Sequence, residues 1–344
     1  MTRVIEQRKR DHLNLAQNEA LNFSISAGFN RWRFIHNALP EINLSDIDTR
    51  CTFLGKELKF PLLISSMSGG VQESYHFNAR LASAAEAVGC ALGLGSIRAA
   101  LENEEARDSF LVAREQAPTA VILANLGIAQ ILTAHSMDRV ARFCEDLSAN
   151  ALIIHLNPLQ EAFQPEGDTK FAGGLAAIQK WVQEFPLPII VKEVGQGLSL
   201  AVISRLQGVG VEIIDIAGAG GSNWISIEGA RLSEDQSVLK KTAQEFANWG
   251  EPTAEILENL STNQFVIASG GLKRPLDLPK ALGLGANMGG IAGILLKQAL
   301  KDDADKLSEA LLVWKKTLEM TMFGAGVRTI DELIGNRQLL QKID

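Results

Sequence analysis

Eight short apolar runs, each leading into polar or glycine residues, limit what this chain can fold into. They are Leu62 to Ser66, Ala91 to Leu94, Ala120 to Ala124, Ala151 to Ile154, Ile189 to Lys192, Ile213 to Ala217, Phe265 to Ala268 and Ala286 to Gly289. Each is too short for a helix and lacks a helical period, so each predicts a buried strand. Between them, Ala79 to Val88, Arg139 to Leu147, Leu175 to Gln183 and Leu198 to Leu206 carry apolar residues at helical spacing. Strands alternating with helices pair in parallel through crossovers, and eight such strands close a (β/α)8 TIM barrel. An open doubly wound sheet has the same alternation. The strand ends separate the two, because a barrel delivers all of them to one mouth. They read Met67-Ser68-Gly69-Gly70, Gly95-Ser96-Ile97-Arg98, Asn125, His155-Leu156-Asn157, Lys192-Glu193, Gly218 to Ser222, Ser269-Gly270-Gly271 and Gly289 to Gly293. Nearly every one offers a hydrogen-bonding group or glycines, which predicts a barrel with a polar, ligand-filled mouth.

The flanks add to this frame. A helix is expected near Ile5 to Gln17, with Arg8, Lys9 and His12 on one face. Gly28-Phe29-Asn30 reads as a loop outside the barrel, and Leu54-Gly55-Lys56-Glu57 as a hairpin plugging its bottom. Asp305 to Met322 reads as a long amphipathic helix through Leu307, Leu311, Leu312 and Leu318, and Thr329 to Leu340 repeats Ile330, Leu333 and Ile334 at helical spacing. No linker divides the chain. Residues 1–344 are expected to form one barrel domain, with residues 1–50 as an arm closing over the site and residues 300–344 as extra C-terminal helices.

A net charge of −7 and a pI near 5.4 argue against a nucleic-acid partner, which would need a basic surface. Cys51, Cys90 and Cys144 show no C-x-x-C spacing, so neither a disulfide framework nor a zinc site is indicated. The polar N-terminus and the lack of a run of ~18 apolar residues predict a soluble, cytoplasmic protein with no membrane partner.

The densest chemistry lies in His155-Leu156-Asn157-Pro158-Leu159-Gln160-Glu161. His155 and Asn157 face the same way on an extended chain, and Gln160 and Glu161 sit on the turn beyond. An imidazole, two amides and a carboxylate at a strand mouth can do acid/base work and hold a hard cation. The same residues would also serve as a capped turn. Ser269-Gly270-Gly271 and Gly289 to Gly293 follow the seventh and eighth strands, where barrels bind phosphate. Lys192 points into the mouth or pairs with Asp215. With Asn125, Ser96 and the Met67 to Gly70 turn, it matches the donors a flavin ring needs.

In this order the motifs resemble those of the type 2, flavin-dependent isopentenyl-diphosphate isomerases, from Arg8 to about Gly335. The matching pieces are Arg8-Lys9-x-x-His12, Met67-Ser68-Gly69-Gly70, Gly95-Ser96-x-Arg98, His155-x-Asn157-x-x-Gln160-Glu161, Lys192-Glu193, Gly220-Gly221-Ser222-x-Trp224-x-x-x-Glu228 and Ser269-Gly270-Gly271. The resemblance implies an FMN barrel that interconverts isopentenyl and dimethylallyl diphosphate, needs Mg2+, and uses NADPH only to keep the flavin reduced. By position, Arg8, Lys9, His12, Ser96, Arg98, His155 and Asn157 would hold the diphosphate. Gln160 would lie by the reacting carbons, Glu161 would hold Mg2+, and Trp224 and Glu228, in a long loop, would support the chemistry. Ser66, Met67, Ser68, Ser96, Asn125, Lys192, Ser222, Gly270, Gly271, Gly290, Ile291 and Ala292 would bind FMN. A homo-oligomer, tetramer or larger, is implied as well. Lys273 and Pro275 replace the family's arginine and glycine after Ser-Gly-Gly, and Ser222-Asn223 replaces a Thr-Ser or Thr-Asn pair.

Two rivals share parts of the pattern. A flavin oxidoreductase acting on 2-hydroxy acids needs a histidine base and a paired arginine after the sixth strand, but His12, His36, His76, His135 and His155 all lie at or before position 155. A non-catalytic phosphate-binding barrel would need neither Gln160 and Glu161 nor a flavin.

Overall fold

The computed structural model describes residues 2–67, 70, 72–133, 136–301 and 303–343. Eight parallel strands close into a barrel: β1 (Leu62–Ile64), β2 (Ala91–Gly93), β3 (Ile122–Gly127), β4 (Ala151–Leu156), β5 (Ile189–Glu193), β6 (Ile213–Asp215), β7 (Phe265–Ala268) and β8 (Met288–Ile291). Each pairs with its sequence neighbours, and β8 meets β1 through Gly289↔Leu62 and Ile291↔Ile64. Closure excludes the open doubly wound sheet.

Side chains alternate across a strand, so two rows of the barrel interior follow from one register. Leu63, Ala91, Leu123, Ala151, Ile153, Ile190, Ile267 and Met288 form an apolar interior cluster. Two residues beyond this cluster, on the same face of their strands, stand Ser65, Gly93, Asn125, His155, Lys192, Ser269 and Gly290. The lower interior is therefore hydrocarbon and the upper interior polar, while Leu62, Ile64, Leu92, Leu152, Ile154, Val191 and Val266 face the surrounding helices.

The expected hairpin is present. Cys51–Phe53 pairs with Lys56–Leu58 across Leu54 and Gly55, both at positive φ (51° and 74°). Phe53 and Leu58 join the lower interior cluster, and the Phe53 ring lies 5.1 Å from that of Phe265, so the hairpin stoppers the barrel floor.

The N-terminal helix runs over Thr2–Leu15, and a 3-10 turn at Phe29–Arg31 replaces the expected loop. The long C-terminal helix, Ala304–Ala325, buries Leu307, Leu311, Trp314, Leu318 and Met322 against the barrel helices, but Leu312 is turned to solvent. Thr329 to Leu340 does not continue as one helix. Ile330–Leu333 is α-helical, Gly335 turns the backbone at φ 67°, Arg337–Leu339 forms a 3-10 turn, and Leu340–Lys342 pairs antiparallel with Trp32–Phe34. A partner strand over 300 residues away in sequence, as in Arg33 with Gln341, outweighs the local periodicity.

Candidate active site

The polar ends of the strands open into a cavity of about 600 Å³ at the C-terminal mouth. The N-terminal helix brings Arg8, Lys9 and His12 to one side of it, where Arg98 and His155 also stand. This wall carries positive charge in a dry setting. Burial, then the neighbouring charges of Arg8 and Arg98, push the Lys9 ammonium down from 10.5 to about 7. Burial, with Lys192 and Arg8 nearby, pushes His155 down to about 4, so its imidazole is neutral near pH 7. The Nδ1 of His155 lies 2.7 Å from Asn125 Oδ1 and donates to it in the neutral ring, which leaves Nε2 as its second group. Ser96 Oγ lies 3.5 Å from the backbone N–H of Arg98, and the Arg98 side chain donates to Glu102 at 2.8 Å.

The segment after β4 differs from the expected turn. Proline fits a helix's first turn, where no N–H is required, and Pro158–Phe163 is a short helix with Asn157 at its N-cap. Gln160 and Glu161 are therefore helical and share the face that meets Asn157. The Asn157 amide donates to Gln160 Oε1 at 3.1 Å and to Glu161 Oε1 at 2.9 Å. The backbone N–H of Asp168 donates to Glu161 Oε2 at 2.8 Å.

Trp224 and Glu228 lie on a helix, Trp224–Arg231, and not in a long loop. Asn223 explains the difference: its Oδ1 accepts from the N–H groups of Ile225 and Ser226, which is the cap a helix start needs. Trp224 lines the cavity with its ring 5.1 Å from His12. Glu228 is fully buried behind that wall. Its Oε1 lies 2.7 Å from His12 Nε2 and accepts from Gln160 Nε2 at 3.2 Å, and its Oε2 accepts from Arg231 at 2.6 Å. Gln164, with its amide in the orientation that satisfies both atoms, donates to Glu228 Oε1 at 3.2 Å and accepts from Arg8 at 2.9 Å. Burial works against charge on Glu228, but its bonds to His12 and Arg231 outweigh it and hold the carboxyl below the usual range.

Hydroxyls and glycines make up another part of the lining. Ser65 Oγ and Ser66 Oγ are buried with no hydrogen-bond partner, an arrangement that costs free energy until a ligand supplies one. Lys192 Nζ donates to the Glu193 carbonyl at 2.9 Å and stands 3.5 Å from Asp215 Oδ2, so it both faces the mouth and has a buried acidic neighbour. Glu193 organises the next loop. One of its carboxylate oxygens accepts from the backbone N–H groups of Val194, Gly195, Gln196 and Gly197. A Cβ at Gly290 would stand 2.6 Å from Ser65 Oγ, which shows why the upper barrel stays open there. Gly270 and Gly271 answer to more than phosphate approach. Both have positive φ, and a Cβ would strike Gly218 O at 2.0 Å in the first case and Ala27 Cβ at 2.7 Å in the second.

Met67, Ser222, Ile291 and Ala292 also line the cavity, and Lys273 reaches its rim. Glu228 alone among the described candidates stands behind the lining. Ser68 lies outside the described residues. Sequence reasoning missed Ser65, Gln130 and Gln164, which also line the cavity, and Arg231, which pairs with Glu228. Ser65 could have been found two residues beyond inward-facing Leu63, and Gln164 one helical turn beyond Gln160; Arg231 needed the fold. Among the described residues, no group of three His, Cys, Asp or Glu side chains could hold a metal by itself, and no helix is long and apolar enough to cross a membrane.

A family model described as FMN-dependent dehydrogenase matches residues 2–114 and 159–342. The isopentenyl-diphosphate delta-isomerase of Pseudescherichia vulneris is 44% identical over 331 residues, covering 95% of this chain and 94% of that protein. The same-named protein of Nostoc sp. is 40% identical over 344 residues, covering 98% and 97%. Among solved structures, a flavocytochrome b2 mutant aligns with a TM-score of 0.70 at 17% identity, over 96% of this chain and 82% of that one. A soluble mutant of the membrane-associated (S)-mandelate dehydrogenase from Pseudomonas putida aligns at 0.65 and 18%, over 97% and 99%. At such identities these two speak for the barrel fold alone. Near-full-length identity of 40% or more to the isomerases decides the family within that fold, and the chain belongs to the FMN-dependent isopentenyl-diphosphate delta-isomerases.

Proposed function

We propose that this site interconverts isopentenyl and dimethylallyl diphosphate by a reversible 1,3-allylic isomerisation, with FMN resident, Mg2+ on Glu161, and NADPH serving only to reduce the flavin. The observation that carries the reading is that one cavity is lined both by cationic Arg8, Lys9 and Arg98 and by the unpartnered hydroxyls of Ser65 and Ser66. The first suits a diphosphate and the second suits the carbonyl and N–H edge of a flavin.

The fit to FMN rests on those orphan hydroxyls, on the room left at Gly290, and on Lys192 at the mouth. Ser66, Met67, Ser68, Ser96, Asn125, Lys192, Ser222, Gly270, Gly271, Gly290, Ile291 and Ala292 are its proposed contacts. Reduced flavin held by these residues would supply an acid/base at N5. The fit to Mg2+ rests on donor chemistry: this ion keeps several waters and takes one or two carboxylates plus substrate phosphates, and Glu161 beside Asn157 and Gln160 meets that need.

Arg8, Lys9, Ser96, Arg98 and Asn157 hold the diphosphate in this reading. His155 joins them once its Nε2 takes up a proton, since in the neutral ring that nitrogen only accepts. The N-terminal helix excludes water above the site. Gln160 is fixed at both ends, by Asn157 and by Glu228, so it presents a rigid edge to the carbon chain. His12 and Glu228 form an imidazole–carboxylate pair behind Gln160, able to hold or yield a proton. Trp224 shields the pair. The chain acts as one barrel domain with residues 1–50 as the closing arm, in a cytoplasmic homo-oligomer.

The test is anaerobic conversion of isopentenyl diphosphate with FMN, Mg2+ and NADPH, each omitted in turn. Dimethylallyl diphosphate should form, should vanish without flavin or reductant, and should appear without stoichiometric NADPH loss. Flavin binding with steady NADPH or oxygen consumption and no isomer would overturn the reading in favour of an oxidoreductase.

A further inference from the structure

Arg231 belongs to no motif singled out from the sequence, but its guanidinium joins three chain segments. Nη1 meets Glu228 Oε2 at 2.6 Å on its own helix, and Nη2 meets Glu166 Oε1 at 2.8 Å on the loop after Pro158–Phe163. Nε lies 3.5 Å from Asp11 Oδ2 on the N-terminal helix, an ion-pair contact without a hydrogen bond. The side chain is only 11% exposed. A planar fork can address three carboxylates at once, which a lysine ammonium on a flexible stem cannot do with the same geometry.

We infer that Arg231 is a positioning residue for the isomerisation: by clasping Asp11, Glu166 and Glu228 it seats the N-terminal helix over the mouth and keeps the Glu228 carboxylate aimed at Gln160 and His12. The inference rests on the isomerase reading, but half of its test does not. Glu228 is buried, so removing a cationic partner raises its pKa. The groups that face it are His12 and Arg8 from the N-terminal helix, Gln160 and Gln164 from the β4 side, and Arg231 from its own helix. The helix packed behind, Ser237–Glu245, turns Ala243 inward and keeps Lys241 and Glu245 in solvent, with Lys240 on Glu234.

The experiment compares wild-type holoprotein with Arg231→Met, Arg231→Lys, Asp11→Asn and, as a control, Lys240→Met. Arg231→Met should lower kcat by ~10²-fold and move the acidic limb of the kcat profile up by about one pH unit. It should also speed trypsin cleavage at Arg8, Lys9 or Arg10. Arg231→Lys should return the limb toward wild type without full kcat, Asp11→Asn should speed cleavage and raise KM with the limb unmoved, and Lys240→Met should match wild type throughout. An Arg231→Met protein with the wild-type limb, or whose loss of activity only tracks its unfolded fraction, overturns the positioning role. If wild type does not isomerise at all, the functional reading fails on its own, and cleavage no faster in Arg231→Met than in wild type overturns the clasp independently.

Discussion

Replacing Lys9 by Met should stabilise the ligand-free protein while it weakens the substrate complex, and both effects should shrink as pH rises above about 7. Burial beside Arg8 and Arg98 takes Lys9 from 10.5 to about 7. The folded state thus binds this proton more weakly than the unfolded chain does. The penalty is fully present below about pH 7, shrinks as pH rises from about 7 to 10.5, and is gone above that window. At ~1.4 kcal/mol per unit, the penalty is at most ~5 kcal/mol, less whatever the helix recovers by lifting away from the barrel. Thermal unfolding of ligand-free Lys9→Met at pH 6 should therefore show a midpoint several degrees above wild type, and the gain should shrink steadily toward pH 10. Substrate reverses the balance, because a diphosphate favours the ammonium. Wild-type KM should rise by about tenfold per unit above pH 7 as binding has to restore the proton, and Lys9→Met should have a high KM that is flat over pH 7 to 9. A lower midpoint for the variant at pH 6, or a wild-type KM that is level across pH 7 to 9, would refute the reasoning.

Other expectations come from the rest of the cavity lining and the barrel floor. Ser65→Ala removes a buried hydroxyl with no protein partner; ligand-free stability should hold or improve while flavin affinity, measured by fluorescence titration, falls by about tenfold, the worth of one hydrogen bond. Glu161→Gln should retain flavin but require at least ~10²-fold more Mg2+ for activity, which a metal titration of the rate reads directly. Phe53→Ala empties a fully buried site in the barrel floor and should cost about 3–5 kcal/mol in denaturant unfolding; a loss under ~1 kcal/mol would mean the hairpin is not part of the core.

The strands and most of the mouth are legible because their signals are local. A closed parallel strand must show a compact apolar run, and its end must change character where it leaves the ladder, so β1 to β8 and the residues just after them can be found one at a time. The placement of Gln160 and Glu161 is misread from sequence because Pro158 has two local meanings, a strand end and a helix start, and both apply here. Trp224 and Glu228 are misread for a related reason: the capping role of Asn223 carries little signal on its own.

What the sequence by itself determined is the alternation of strand and helix, the number eight, and the polar ring that those strands deliver to one mouth. All of these depend on residues within a turn or a strand of one another. What only the tertiary structure decided is which distant side chains meet. Glu228 and His12 are 216 positions apart, Arg231 reaches Asp11 and Glu166, and Leu340–Lys342 finds Trp32–Phe34. No local propensity encodes such pairs, since each exists only after the barrel has closed and brought the ends of separate crossovers together.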